Sequence, residues 1–247
     1  MSFSFEFIDD LVKRSAAGID FEERRGDDDG PHSSLHREGD ASADAGFVRL
    51  WAAKNSAHLD RMIHVRLLSD PVDTQLFFMF GRSDTAMPHF HAQVVQFAPD
   101  ACVFNADFLA RLDPVDHPDY YATAFKPLSK PYWRAVNDHN NVCSRAPANP
   151  GIAAYLTPWS IGVGAPTDRA ELDRVAPQIH AFHEHYLQLA ATLDYPVDPD
   201  TLRDRDRRHL DAFFADKLDP RAWRGVYGLI GEPAGQQLKQ LLKTGLT

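Results

Sequence analysis

The stretches TQLFFMF (74–80), HFHAQVVQF (89–97) and ACVFNADF (101–108) decide the fold class of this chain. Each is rich in β-branched and aromatic residues and is bounded by the Asp, Pro, Gly or Ser residues that favour turns. The connections between them are too short to hold a crossover helix, so neighbouring strands must run antiparallel. We therefore predict an antiparallel meander, and a doubly wound parallel sheet is disfavoured.

Further extended and helical segments lie outside this centre. The other predicted strands are FVRLWAAK (47–54), RMIHVRLL (61–68) and AAYLTPWSIGVG, around Tyr155 to Gly164. Helical periodicity predicts helices over residues 3–19, 168–193 with Asp168 as the N-cap, 201–215, 221–229 and 233–243. Strands followed by helices predict a layered α+β fold in one domain, 1–247. The acidic, Gly/Ser-rich residues 20–46 are predicted to form a mobile surface loop.

Composition excludes several classes of function. The chain has 247 residues, with 26 Lys and Arg against 35 Asp and Glu, which gives a formal charge of -9. This charge repels phosphate backbones and anionic lipids, so we expect neither nucleic acid nor a membrane as partner. The only cysteines, Cys102 and Cys143, are too few for a disulfide framework or a Cys-rich metal site. With no signal peptide or membrane span in the sequence, we expect a cytoplasmic protein.

The strand His89-Phe90-His91-Ala92-Gln93 carries the first candidate site, because alternate strand residues share a face. Imidazoles titrate near neutral pH, so His89 and His91 could donate protons. An exposed polar strand face explains the same pattern equally well. Metal binding is a weaker interpretation, since two histidines supply only two ligands.

Four other segments have a structural and a functional interpretation. His180, His183 and Glu184 share a helix face, for which solvation is favoured over a metal half-site. HPDYY (117–121) predicts a turn into a helix whose aromatics anchor it to the core. Asp219 precedes a helix and suits an N-cap. The arginines of the 201–215 helix form either a solvated face or a docking surface for an acidic partner.

Two regions resemble the ferredoxin-dependent bilin reductase superfamily, and especially the red chlorophyll catabolite reductases. The first is MPHFHAQVVQFAPDACVFNADF (87–108) followed by HPDYY. The second is RRHLDAFFADKLDPRAWRGVYGLIGEPAGQQLKQLLKTGL (207–246), which is similar to the closing pattern of that family. YLTPWSIGVG and IHAFHEHYLQLAATL also fall where the family has a strand and a helix. The resemblance extends from about Phe47 to the C-terminus.

This resemblance implies a three-layer α/β/α sandwich with a central antiparallel β-sheet and a linear tetrapyrrole held between sheet and helices. It implies no tightly bound cofactor and no metal. Electrons come singly from reduced ferredoxin and alternate with protonations of the pigment, which passes through a radical. Such chemistry needs a proton donor beside a conjugated pocket.

The resemblance also implies roles for individual residues. Asp219, His91 and Gln93 are the expected catalytic residues, and His64, His89, Asp107 and Arg66 are expected to bind the substrate. Ferredoxin is expected to dock on Arg203, Arg205, Arg207, Arg208, Lys239 and Lys243. The family commonly has Asp or Glu at the position of Gln93, which has no ionisable carboxyl. His91 or Asp219 would then donate the protons, unless the protein is a non-catalytic tetrapyrrole carrier or a reductase of an unrelated aromatic metabolite.

Overall fold

One antiparallel sheet organises the structure, a computed structural model that describes residues 2–137 and 150–245. Its strands are β1 (Phe21–Arg24), β2 (Ser33–Arg37), β3 (Asp40–Ala53), β4 (Leu59–Ser69), β5 (Val72–Gly81), β6 (His89–Gln96), β7 (Ala101–Leu109), β8 (Ile161–Gly162) and β9 (Thr167–Asp168). They are ordered β1-β3-β4-β5-β6-β7-β8, with β2 also paired to β3 and β9 to β7. The predicted central meander is confirmed as β3 to β7.

Six of the eight α-helices in the described residues lie where the sequence predicts a helix, whereas α3 and α4 were not predicted. They are α1 (Phe3–Gly18), α2 (Pro118–Ala124), α3 (Ser129–Asn137), α4 (Pro150–Ala153), α5 (Arg169–Thr192), α6 (Pro199–Phe213), α7 (Pro220–Ile230) and α8 (Glu232–Thr244). The Asp168 carboxylate accepts a hydrogen bond from Glu171 N (2.8 Å) and begins α5, as predicted. Asp198 and Asp219 begin α6 and α7 in the same way. In the part of the chain that the structure describes, none of the helices is both long and apolar enough to cross a bilayer.

The two faces of the sheet are covered by different helices. On β5, Phe77 and Met79 belong to a hydrophobic cluster with residues of α1 and α5. Phe78 and Phe80 point the other way and belong to a cluster with residues of α6, α7 and α8. We call these the packed face and the cavity face of the sheet. The layers confirm the predicted α+β sandwich.

The prediction of a loop over residues 20–46 is wrong in its secondary structure. β1, β2 and the first residues of β3 lie within this range, and both short strands pair with β3. Most side chains of β2 and of the first residues of β3 are exposed, and those of β1 are mostly half-buried. These strands lie at the end of the sheet, where backbone pairing needs no apolar side chains. Gly46 permits the close approach to β4, because its φ is +121° and a Cβ there would lie 2.0 Å from the Arg66 carbonyl oxygen.

The predicted strand around Tyr155 to Gly164 is also largely wrong. Only Ile161–Gly162 pairs with β7, and α4 precedes it. Between them the backbone turns, with Ser160 N donating to Thr157 O (3.1 Å) and Thr157 N donating to a side chain of β7. In this segment a hydrogen bond from the backbone to a side chain therefore takes the place of strand pairing. Cys143 lies outside the described residues.

Candidate active site

A cavity of about 750 Å³ separates the cavity face of the sheet from the late helices. Its volume lies in the usual range for sites that enclose a small-molecule ligand. The aromatic lining residues are Phe78, Phe104, Tyr132, Phe213, Phe214 and Trp223, and the polar groups include His91, Gln93, Asn105, Ser160 and Asp219. This is an apolar site with a few convergent polar groups.

Helix α7 explains why this space stays open. Its apolar residues recur at helical spacing, yet Ile230 is the only buried residue of the helix. Trp223 and Val226 are half-buried, because they pack at the margin of the cavity-face cluster and also line the cavity. Contacts with α8 hold the helix, because Lys239 of α8 bonds Asp216 (2.6 Å) and lies over the Trp223 ring, 4.3 Å from its centroid.

His91 lies at the floor of the cavity. Its imidazole stacks on Phe78, with ring centroids 4.5 Å apart, and is 5% exposed. Burial disfavours the imidazolium and lowers the pKa of His91 to about 4, so the ring is neutral at pH 7. Its Nδ1 is buried and has no hydrogen-bond partner among the described residues. An uncharged ring with a free nitrogen therefore borders the cavity.

Asp107 stands directly opposite His91 in the pairing of β6 with β7. The carboxyl is fully buried and accepts hydrogen bonds from Thr157 N (2.6 Å), Thr157 Oγ1 (2.5 Å) and Phe108 N (2.8 Å). Burial outweighs these bonds and raises the pKa of Asp107 to about 7. This acid therefore changes its protonation near neutral pH, directly behind the cavity wall.

Gln93, Asn105 and Asp219 place polar groups on both sides of the cavity. Gln93 pairs opposite Asn105, whose amide nitrogen donates to Ser160 Oγ (2.7 Å). Asp219 lines the cavity from the helix side and is half-buried, and its Oδ1 accepts from Ala222 N (3.0 Å). The structure thus brings together three of the predicted residues, His91, Gln93 and Asp219, around one cavity, and Asn105 joins them.

His89 lies on the same face but is not part of the cavity wall. Its Nδ1 accepts from Gly81 N (3.0 Å), so Nε2 carries the proton that points to Asp206 (2.9 Å). Arg111 also bonds Asp206 (3.0 Å) and three backbone carbonyls. Burial alone raises the pKa of Asp206, but His89 and Arg111 together hold it below its usual value. The prediction that His89 contacts substrate is therefore wrong, because its ring is committed to this buried network.

The prediction that His64 and Arg66 contact the substrate is wrong for a different reason. Both residues point to the packed face, under α1. His64 Nε2 bonds Gln75 Oε1 (2.7 Å), and Arg66 pairs with Asp73 (2.7 Å). Because side chains alternate along a strand, the sequence predicts that His64 and Arg66 lie on the same face of β4. It does not predict which face of the sheet borders the cavity.

The α5 histidines form no metal half-site. His183 is fully buried and contacts Ser15 Oγ of α1 (2.7 Å), so the expectation of a solvated face is wrong for this residue. The ring of His180 stacks on that of Phe7, which also belongs to α1. Within the described residues, no group of three or more His, Cys, Asp or Glu side chains could hold a metal ion. HPDYY behaves as predicted, since Pro118 starts α2 and Tyr120 is fully buried.

The predicted docking surface is largely neutralised by its own acids. Arg207 and Arg208 pair with Asp204 (2.8 and 2.9 Å), Arg203 pairs with Asp200, and Lys243 pairs with Asp211 (3.0 Å). The remaining two predicted cations, Arg205 and Lys239, are half-buried and buried. The docking role of these residues stays a prediction. Acids three or four residues away on α6 offset the charge of its paired arginines, and Asp211 of α6 offsets that of Lys243.

Other cations are better placed around the cavity. In the described part of the chain, Lys130, Arg134, Lys217, Arg221 and Arg224 are exposed, and no salt bridge within 4.0 Å involves them. They stand on α3, α7 and the junction before α7, which also supply cavity walls.

The comparisons with known proteins support the fold. A crystal structure of phytochromobilin synthase from tomato, in complex with biliverdin, superposes with a TM-score of 0.73 over 97% of this chain and 82% of that chain. The sequences are 14% identical. No protein-family model and no curated protein sequence matches the chain. At this identity the two proteins share a fold, and the chemistry must be argued from the cavity itself.

Proposed function

We propose that the protein reduces a linear tetrapyrrole, biliverdin or a chlorophyll catabolite, bound in the 750 Å³ cavity. The observation that carries this proposal is the cavity itself: an aromatic-walled space with an imidazole on one side and a carboxylate on the other. The fold shared with a biliverdin-bound synthase agrees with it, and so does the sequence resemblance to bilin reductases. Aromatic walls suit a long conjugated ligand, which buries apolar surface and stacks its rings.

The reaction adds two electrons and two protons across one carbon–carbon double bond of the pigment. The electrons arrive one at a time from a small carrier such as reduced ferredoxin, so the pigment passes through a radical. Asp107 is the proton source on the sheet side, because its pKa near 7 lets it hold and release a proton at neutral pH. His91, which is opposite Asp107 in the strand pairing and lines the cavity, delivers that proton. Asp219 protonates the pigment from the opposite side.

The electron carrier docks on the exposed cations beside the cavity rather than on α6. Lys217 and Arg224 are our choice because no salt bridge neutralises them and their elements border the cavity. Ferredoxins are acidic, so attraction to these residues would steer association in a protein that is otherwise negatively charged. A reducing cytoplasm is the compartment in which such a carrier works.

A pigment carrier without catalysis is the second candidate function. Gln93 favours it, because the amide lines the cavity where related reductases place an acid and cannot supply a proton. In the carrier, the same walls would bind the pigment, and neither Asp107 nor Asp219 would affect anything except affinity.

Titrating the purified protein with biliverdin and then adding a reduced ferredoxin system separates the two functions. For a reductase we expect a visible spectral shift on binding and a second shift or bleaching on reduction. Asp219→Asn should slow the second step at unchanged affinity and stability, because Asn caps helices as well as Asp. The matched variant Val226→Trp fills the cavity and should weaken binding by about tenfold or more.

Binding with no spectral change under reduction would establish the carrier. If neither biliverdin nor a chlorophyll catabolite binds, the reductase and the carrier functions are both refuted. An unrelated aromatic metabolite would then remain as the candidate ligand.

A further inference from the structure

A second cavity, of about 420 Å³, shares residues 156 and 157 with the first cavity as a common wall. Its polar lining differs from that of the first, since it consists of Tyr121, Tyr155, Thr157, Arg205, Arg208 and His209. The Arg208 side chain is 67% exposed, so this space opens to the surface. A polar space of this size holds several water molecules.

Thr157 connects this second cavity to Asp107. Thr157 is a lining residue of both cavities, and its Oγ1 donates a hydrogen bond to Asp107. A hydroxyl has one proton and two lone pairs. Trp159 N occupies one lone pair with a long bond of 3.3 Å, which leaves the other for a donor in the second cavity. Thr157 can therefore accept a proton on one side as it gives one on the other.

The proposed function, on which this inference rests, requires that Asp107 be reprotonated while the pigment fills the first cavity. A proton route through the second cavity meets this requirement. A pigment in the first cavity covers His91 and displaces the water that would otherwise bring protons. Asp107 itself is fully buried and does not line that cavity. Each proton that Asp107 gives up must therefore be replaced from another direction.

We propose that the second cavity is the proton inlet of this protein, and that Thr157 relays protons from water in that cavity to Asp107. In each relay step, water gives a proton to Thr157 Oγ1 as the hydroxyl proton passes to the Asp107 carboxylate. Thr157 ends unchanged, Asp107 becomes a carboxylic acid, and solvent buffer restores the water. Asp107 then passes the proton to His91.

The charged and titratable groups around Asp107 are compatible with this direction of transfer. His91 of β6 faces Asp107 across the strand pair. Burial raises the pKa of Tyr121 of α2, and the nearby Asp107 charge adds a smaller effect in the same direction. Across the second cavity, Arg205 and His209 project from α6. Burial lowers the pKa of His209 to about 4, so this ring is neutral and can accept a hydrogen bond from water.

The test follows the protonation of Asp107 after a rapid drop in pH, by its infrared carboxyl band, in the full-length protein without pigment or reductant. Asp107→Asn identifies the band by its loss. We expect Thr157→Val to slow protonation by about tenfold and Thr157→Ser, which keeps the hydroxyl, to stay within about twofold of the unmodified protein. The equilibrium pKa of Asp107 is measured separately in each variant. A shift in this pKa reports the lost hydrogen bond, whereas a slower rate of protonation reports the lost relay.

Two further variants keep the test decisive if Thr157→Val folds poorly. Ala212→Phe fills the second cavity from α6 without touching the bonds of Thr157, and should slow protonation by a similar factor. Arg207→Phe places the same side chain on the exposed side of α6 and should have no effect. Protonation at the unmodified rate in Ala212→Phe or Thr157→Val would overturn the proposal.

Repeating the pH drop with biliverdin bound tests the direction of supply. The rate should be retained when the first cavity is filled, whereas a large loss on binding would mean that protons enter through the first cavity and would overturn the inlet. If biliverdin does not bind, the proposed function fails, but the measurements without pigment still decide the proton route.

Discussion

The packed face and the cavity face of the sheet carry similar side chains with different consequences. Each face has buried histidines, an amide and a carboxyl near the middle of the sheet, for example His64 on the packed face and His91 on the cavity face. α1 closes the packed face, where His64 bonds Gln75. α7 covers the cavity face only in part, and His91 borders the cavity that remains beside it. In the described structure the Nδ1 atoms of both histidines have no hydrogen-bond partner, so the two faces differ in the space beside the ring and not in unpaired nitrogens. Burial of polar groups therefore marks a candidate site only where the opposing helix leaves space.

The largest expected effect separates the two faces by activity. Asp107→Asn should lower the rate of pigment reduction by about a hundredfold or more, because the amide keeps the shape but loses the proton. Affinity for biliverdin, measured by absorbance, should change little. The matched variant on the packed face is His64→Gln, which should lower the melting temperature without lowering turnover per folded molecule. Equal losses of turnover in both variants would contradict the assignment of chemistry to one face.

A smaller effect should appear in the pH dependence of stability. Burial lowers the pKa of His64 and of His91 to about 4, so the native state binds fewer protons than the unfolded state between pH 6.5 and 4. The stability associated with each neutral ring is complete above pH 6.5 and is lost as the pH falls through 4. Asp107 acts oppositely, since its raised pKa adds stability at low pH that is lost as the pH rises through about 7.

Chemical denaturation between pH 4 and 8 measures these contributions. His64→Gln and His91→Gln should each flatten the acid side of the stability profile by about 2 kcal/mol. Biliverdin should change only the component removed by His91→Gln. A ligand effect on the His64 component would contradict the separation of the two faces.

The smallest effect concerns the surface rather than the faces. Lys217→Glu with Arg224→Glu should slow association with an acidic ferredoxin by about fivefold at low salt, and the difference should fade at high salt. The control variant, Arg203→Glu with Arg207→Glu, changes the net charge by the same amount. It should slow association less, because these two arginines are already paired with acids. Stopped-flow association rates for the two variants decide between the sites, and a larger loss in the second would restore the α6 surface.

Much of the fold follows from local patterns in the sequence. The central strands are short runs rich in apolar and β-branched residues between turn signals, and α5, α6 and α7 begin at Asp caps, so these elements were predictable. The β1 and β2 strands were not, because acidic Gly/Ser-rich segments join a sheet only when a long neighbour such as β3 offers a free edge. The strand predicted around Tyr155 is largely absent because an apolar run can also form a turn. Here the turn is held by the buried carboxyl of Asp107, which accepts a hydrogen bond from Thr157 N.

The candidate site was predictable in part. A tight hairpin centred on Pro99 places residues equidistant from it opposite each other, so the pairing of His91 with Asp107 was implicit in the sequence. The same symmetry pairs Gln93 with Asn105, which sequence reasoning missed. The face of β4 that meets the cavity depends on which helices cover which side, and that is a tertiary property. Thr157 and Trp223 were not singled out, although both lie in stretches that carried the resemblance, because neither residue type by itself indicates proton transfer or pigment binding.

The half-packed helix α7 has a consequence for the life of the protein in the cell. Trp223 and Val226 of this helix line the cavity as well as packing on the core, so a ligand bound there would bury more of their apolar surface. A pigment that binds the folded chain alone raises the free energy of unfolding in proportion to the logarithm of its concentration. Degradation draws on the unfolded fraction, so the amount of this protein should rise and fall with the supply of its own substrate.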